Sequence, residues 1–187
     1  GMSGAGKSTV CSLFSDSGYA VIDCDQVARE VVAPNSLLLK ELADEFSDEI
    51  ISVDGTLNRR KTSELIFKKK KKRLMYNRII YPYITYNVFC KIRATYRDVL
   101  LDAPTLFEAR LDGICDNIVA VCADTEICVR RIIERDKIDE KLARARLASQ
   151  HDIHWFSEHA DFCLINDGTM QQLYDEAQTI ISMVKGN

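Results

Sequence analysis

The first nine residues, GMSGAGKST, constrain this chain more than any other stretch. Gly1, four intervening residues, then Gly6, Lys7 and Ser8 fit the phosphate-loop pattern G-x-x-x-x-G-K-[ST]. Gly1, Gly4 and Gly6 let the backbone curl with its N–H groups turned onto phosphate oxygens. Lys7 reaches toward the β- and γ-phosphates, and the Ser8 hydroxyl is a ligand for Mg2+. A helix that begins near Ser8 adds its positive N-terminal end. A Gly-rich turn that only caps a helix would need one Ser or Thr and no Lys. Such a loop hangs between a strand and a helix, so a short apolar strand is expected ahead of Gly1.

The rest of the chain alternates apolar runs with helical periodicity. Residues 8–16 read as a helix ended by Gly18, and 19–23 as a short strand. Residues 26–32 read as a helix stopped before Pro34, and 37–46 as a helix with Leu38, Leu39, Leu42 and Phe46 inward. Asp54-Gly55 is a turn signal. From 59 to about 91 the pattern is helical, with an interruption expected at Pro82. The runs 99–102, 117–122 and 162–166 suit strands of a parallel sheet buried on both faces. Helices are expected over 125–135, 139–150 and 170–184. This is an α/β, doubly wound parallel sheet on a phosphate loop, with a helical insertion and a helical lid. In one domain over 1–187, the core takes about 1–33, 98–124 and 160–187, the insertion about 34–97 and the lid about 125–152.

Composition narrows the classes. At 187 residues, 47% hydrophobic and 28% charged, the chain can bury a core. A net charge of −3 argues against a nucleic-acid or membrane-surface partner, and no obligate protein partner is evident. No apolar run of about 20 residues is present to span a membrane. Seven cysteines, an odd number with no C-x-x-C pair, argue against a disulfide framework or zinc site. They read instead as small apolar side chains in a reducing cytoplasm. His151, His154 and His159 read as a solvated turn. The basic run 68–72, followed by Arg73, reads as a solvated helix face.

In open α/β sheets, ligands sit beyond the carboxyl ends of the strands. Asp23 and Asp25 follow one strand. Asp102 ends another, where a carboxylate can hold the water shell of Mg2+. Asp25 can act as a base on an attacking hydroxyl, as an N-cap of the following helix, or as both. Arg131 and Arg135 lie four apart on one helix, and Arg144 and Arg146 follow on the next. Two Arg-rich helices joined by a short charged turn are similar to a lid closing over a nucleotide, because the guanidinium fork grips phosphate. The alternative is surface ion pairing with Glu134, Asp136, Asp139 and Glu140.

The motifs V-I-D-C-D-Q-V-A-R-E-V-V, D-G-T-L-N-R, D-A-P-T-L-F-E, R-R-I-I-E-R-D, A-R-L-A-S-Q and A-D-F-C-L-I-N-D-G follow the phosphate loop in that order. The series resembles the dephospho-coenzyme A kinase family over essentially the whole chain. That resemblance implies transfer of a phosphoryl group from ATP, with Mg2+, to the ribose 3′-hydroxyl of dephospho-CoA. It implies that Asp25 activates the hydroxyl and that Lys7 and Arg131 are the cations on the moving group. ATP would then contact Gly4, Ala5, Gly6, Lys7, Ser8, Thr9, Arg135, Arg146 and Asn166, with Gly168 beside the last. Arg29, Arg59 and Glu108 would serve the acceptor, and Ser8 and Asp102 the metal, Asp102 through water.

Three positions depart from the family pattern. Met2 stands where Gly is usual and fits only if its φ is negative. Tyr81 replaces a His before Pro82, and Thr105 replaces a Leu. Competing readings are another phosphate-loop kinase for a small molecule or nucleotide, a non-catalytic nucleotide-binding module, and a GTP switch. The GTP switch would need N-K-x-D, and no Asn-Lys pair occurs.

Overall fold

The computed structural model describes residues 1–67 and 70–186. Lys68 and Lys69 of the basic run therefore lie outside the described residues. The chain divides into two compact units, Gly1–Val21 with Asp112–Asn187, and Ile22–Leu111.

The first unit is built on two parallel strands, β3 (Val119–Cys122) and β4 (Phe162–Ile165). Their register pairs Val119 with Phe162 and Cys122 with Ile165. Both runs are apolar, as strands between helical layers require. Helix α1 (Lys7–Asp16) packs against the closing helix α9 (Met170–Lys185). Val10 and Phe14 of α1 and Leu173, Ala177 and Ile181 of α9 are buried. The Phe14 ring meets Tyr19 edge-on at 5.1 Å, and Lys185 lies over the Tyr19 ring. Thr169 and Gln172 close a reciprocal capping box that starts α9.

Helices α6 (Thr125–Asp136) and α7 (Glu140–Ala148) form a hairpin. Asp124 and Asp139 cap their N-termini, and Lys137 turns the chain between them at φ 53°. Residues 153–159, expected to be a solvated turn, form helix α8 (Ile153–His159), capped by Asp152. Phe156 is its buried anchor. Trp155 stacks between His151 and His159 at 3.7 and 3.9 Å, and His154 lies 3.6 Å from the Glu158 carboxylate. No group of three His, Cys, Asp or Glu side chains is placed to hold a metal ion among the described residues.

The second unit pairs β1 (Ala20–Asp23), inside which the boundary falls, with β2 (Val99–Asp102). Helices α2 (Cys24–Glu30) and α3 (Leu37–Phe46) pack on the long α5 (Lys70–Arg93), and α4 (Arg59–Phe67) packs on α5 as well. Val27, Leu38, Leu39, Leu42, Ile80, Ile84 and Val88 form the buried centre. The expected break at Pro82 is absent: α5 runs through it. A proline inside a helix removes one hydrogen bond and costs about 3 kcal/mol. Here Ile80, Ile84 and Val88 bury on both sides of it, and each such side chain contributes about 1.5–3 kcal/mol.

None of the seven cysteines is in a disulfide, and Cys24, Cys122 and Cys128 are buried. Burial, with Cys163 alongside, pushes the Cys122 thiol up to about 12, so it serves as a neutral space-filling group. Among the described residues, no helix is long and apolar enough to cross a membrane.

Candidate active site

The first six residues form a loop pinned to the rest of its unit by backbone and side-chain bonds. Met2 donates its N–H to the Val121 carbonyl of β3 at 3.0 Å, and its side chain is buried. Its φ is not positive, which is the condition under which Met can stand at that position. Gly4 and Gly6 are left-handed, at φ 77° and 97°. A Cβ on Gly4 would stand 2.7 Å from the Cys128 carbonyl oxygen, and one on Gly6 would stand 2.5 Å from the Asn166 amide. Both conformation and space therefore demand glycine.

Lys7 opens α1 and folds back over the loop. Its Nζ donates to the Gly1 and Met2 carbonyls at 3.1 and 3.2 Å. Arg131, half-buried on α6, donates to the Gly4 carbonyl at 3.4 Å. Asn166, 6% exposed at the end of β4, donates from Nδ2 to the Ala5 carbonyl at 2.8 Å, and its backbone N–H bonds the Cys122 carbonyl. Asn166 thus holds the loop from its sheet side. The Gly6 carbonyl accepts from Thr9 and Val10, and no side chain caps α1. Among the described residues, the backbone N–H groups of Gly4, Gly6 and Ser8 have no protein acceptor. These donors at a helix N-terminus, with two cations on the same loop, make an anion site.

Arginines of the hairpin tie α7 to α6. Arg135 gives a bidentate bond to Asp136, and Arg146 of α7 reaches the same carboxylate. The Arg135 bond first, then that of Arg146, pulls the Asp136 carboxyl down to about 2. Arg144 forks onto Glu126 of α6 at 2.7 Å on both oxygens and also meets Glu140, which raises its pKa. Arg135, Arg144 and Arg146 thus make the surface ion pairs that the sequence offered as the alternative, inside a two-helix hairpin. Arg131, in contrast, points to the loop.

In the second unit, Asp23 caps α2 by accepting from the Gln26 N–H at 2.9 Å. This corrects the capping role weighed for Asp25. The helix begins at Cys24, which leaves Asp25 inside its first turn, exposed. Asp25 and Arg29 are four residues apart on α2 and share a face. Asp102 is half-buried as the last residue of β2. Glu108 is exposed on the loop that follows, near Tyr81 of α5. Burial first, and the Glu108 charge next, raise the Tyr81 phenol. Arg59 opens α4 close to Tyr76, whose phenol burial raises and Arg59 partly lowers.

The first unit thus gathers Gly4, Ala5, Gly6, Lys7, Ser8, Thr9, Arg131 and Asn166, and the second carries Asp25, Arg29, Arg59, Asp102 and Glu108. Asp136, weighed in the sequence as an ion-pair partner of the arginines, joins Arg135 to Arg146. The role of Gln150 escaped the sequence reading. Gln150 accepts from the Ser3 N–H at 2.9 Å and donates to its hydroxyl at 3.0 Å. Ser3 and Gln150 are 147 residues apart, and nothing local to Gln150 announces that contact.

The fold and loop define a phosphate-loop protein built to hold a polyphosphate. Comparison with known proteins narrows the class. The family model for dephospho-CoA kinase matches residues 1–172. A dephospho-CoA kinase of Listeria monocytogenes is 36% identical over 94% of this chain and 90% of its own length. One from Corynebacterium glutamicum is 34% identical, covering 97% of this chain and 92% of its own length. A crystal structure of a Thermus thermophilus protein superposes with a TM-score of 0.82 at 26% identity, covering 97% of this chain and 93% of that one. The dephospho-CoA kinase from Campylobacter jejuni shares the fold, with a TM-score of 0.71 at 24% identity over 97% of this chain and 93% of its own. The chain belongs to the dephospho-CoA kinase family.

Proposed function

We propose that this protein transfers the γ-phosphoryl group of ATP to the ribose 3′-hydroxyl of dephospho-CoA, releasing ADP and coenzyme A. The observation that carries the reading is the phosphate loop. Its Gly4, Gly6 and Ser8 N–H groups have no protein acceptor, and Lys7 and Arg131 both bond its carbonyls. The family match supplies the acceptor. Phosphoryl transfer asks the protein chiefly for positioning and for positive charge on the equatorial oxygens.

The hydroxyl oxygen attacks the γ-phosphorus, the bond to the β–γ bridging oxygen breaks, and ADP leaves with those electrons. Asp25 takes the hydroxyl proton. Lys7 and Arg131 exchange their carbonyl partners for phosphoryl oxygens and stabilise the charge there. Arg135 and Arg146 close on the nucleotide from the lid, about 125–152. Arg29, Arg59 and Glu108 serve the acceptor, and the helical insertion, about 34–97, carries its pantetheine arm. The Ser8 hydroxyl and the Asp102 carboxylate are hard oxygen donors that suit Mg2+, which keeps several waters and takes few protein ligands. Bound there, Mg2+ would neutralise charge on the phosphates.

Seven cysteines, none in a disulfide, and a net charge of −3 support a cytoplasmic setting without a nucleic-acid partner. The test is ADP release with dephospho-CoA, with other nucleosides and nucleotides, and with no acceptor. Release that depends on dephospho-CoA, with 3′-phosphorylated product, is expected. Equal release with another nucleotide acceptor would overturn the assignment.

A further inference from the structure

We propose that Gln150 is a positioning residue for ATP, fixing the Ser3–Gly4 segment of the phosphate loop so that the Gly4 N–H is held ready for a phosphate oxygen. The inference rests on the reading of this chain as an ATP-dependent kinase and adds to it a residue that touches neither substrate.

Gly4 is the loop's hinge point. A glycine rotates freely about φ and ψ, so the direction of its N–H must be set from outside. Two contacts do so. On one side, Gln150 engages Ser3 twice: Oε1 accepts from the Ser3 backbone N–H at 2.9 Å, and Nε2 donates to Ser3 Oγ at 3.0 Å. Because a backbone N–H can only donate, Oε1 must face it, which fixes the orientation of the amide. On the other side, Arg131 holds the Gly4 carbonyl at 3.4 Å. The Ser3–Gly4 peptide between these contacts carries the Gly4 N–H, which has no protein acceptor among the described residues.

Gln150 immediately follows the end of α7. Its own N–H closes the last turn onto the Leu147 carbonyl at 3.0 Å, and Ser149 bonds the Arg146 carbonyl. The side chain is thus presented by an ordered helix end. Gln150 and Arg131 come from the trailing and leading parts of the lid hairpin, so the two Arg-rich helices grip consecutive residues of the loop. A shift of the lid then moves the loop's donors, and Gln150 transmits it.

The experiment is ATP titration by calorimetry, with steady-state kinetics and thermal melting, on the full chain and on Gln150→Ala, Gln150→Asn, Gln150→Glu and Ser3→Ala. Gln150→Ala should weaken ATP binding roughly 3–10-fold, the worth of two exposed hydrogen bonds. The KM for dephospho-CoA and the melting temperature should hold, since Gln150 is exposed. Gln150→Asn, one methylene short, should match Gln150→Ala. Ser3→Ala keeps the backbone bond and should lose less. Gln150→Glu can accept from both Ser3 donors but adds charge, so its deficit relative to wild type should shrink as salt rises. Wild-type ATP affinity in Gln150→Ala overturns the inference and leaves the kinase reading standing. So does a loss of ATP affinity accompanied by an equal loss of dephospho-CoA affinity and a lowered melting temperature. Failure of the wild-type chain to bind ATP overturns the kinase reading itself.

Discussion

Both units of this chain have apolar cores, but their candidate site residues are held in different ways. In the first, the loop that would face ATP is tied down by polar contacts: Asn166 to Ala5, Arg131 to Gly4, Gln150 to Ser3 and Met2 to Val121. In the second, Asp25 and Arg29 ride on a short helix, α2, held to α5 by the burial of Val27 and by a Glu30–Lys91 ion pair at 2.9 Å. Hydrogen bonds are directional, so the first unit can aim donors at a small, highly charged group. Burial is not directional. Arg29, Arg59 and Glu108 of the second unit are exposed, as the proposed contacts to a long acceptor require. Phosphoryl donor and acceptor pose these two different demands.

The largest expected effect belongs to Asp25 of the second unit, the proposed base. Asp25→Asn keeps the shape of the side chain but cannot take a proton. The turnover number should fall on the order of 10²–10⁴-fold while calorimetry gives an unchanged ATP affinity. Collapse of ATP affinity with turnover intact would move Asp25 to the metal site and erase the division of labour. Lys7→Ala should remove about 3–4 kcal/mol of transition-state stabilisation. More than a tenth of the wild-type rate in that variant would count against its role.

Packing is the next lever. Leu42 is fully buried between α3 and its neighbours, so Leu42→Ala should destabilise the protein by about 2–5 kcal/mol in urea unfolding. ATP affinity should be retained under native conditions. An ATP affinity that fell in step with stability would mean that the loop leans on the second unit's core.

The smallest effect concerns pH. Asp136 titrates near 2 when folded, below its ordinary 3.8, because of Arg135 and Arg146. Its contribution to the α6–α7 hairpin is therefore fully present above about pH 4 and is lost as pH falls through about 2. Carboxyl chemical shifts should give that low midpoint in the wild type and a higher one in Arg146→Ala. An unchanged midpoint would mean that the Asp136 bond to Arg146 does not form in solution.

Much of this was legible in the chain. The apolar runs at 99–102 and 162–166 read directly as strands because they are short apolar runs; the expected burial on both faces is only partial, with Val99–Asp102 half-buried and Ile165 exposed. The phosphate loop was readable because its glycines are conformational requirements rather than preferences. What escaped depends on tertiary contact. Pro82 sits inside a helix because Ile80, Ile84 and Val88 bury around it. The helix of 153–159 is anchored by Phe156 and by the stacked Trp155. Asp23 rather than Asp25 caps α2 because the helix starts two residues earlier than periodicity suggests. Gln150 meets Ser3 across 147 positions, a distance over which composition and spacing carry no signal.

Hydrogen exchange with each ligand alone tests the division between donor and acceptor units most directly. ATP should slow exchange in residues 1–9 and 131–146 and leave α4 and α5 unchanged. Dephospho-CoA should slow exchange near Arg29 and Glu108, in Arg59–Phe67 and in the first half of α5. Dephospho-CoA protecting nothing in residues 59–67 or 70–84 would contradict the account, and an acceptor too small to need the helical unit would take its place.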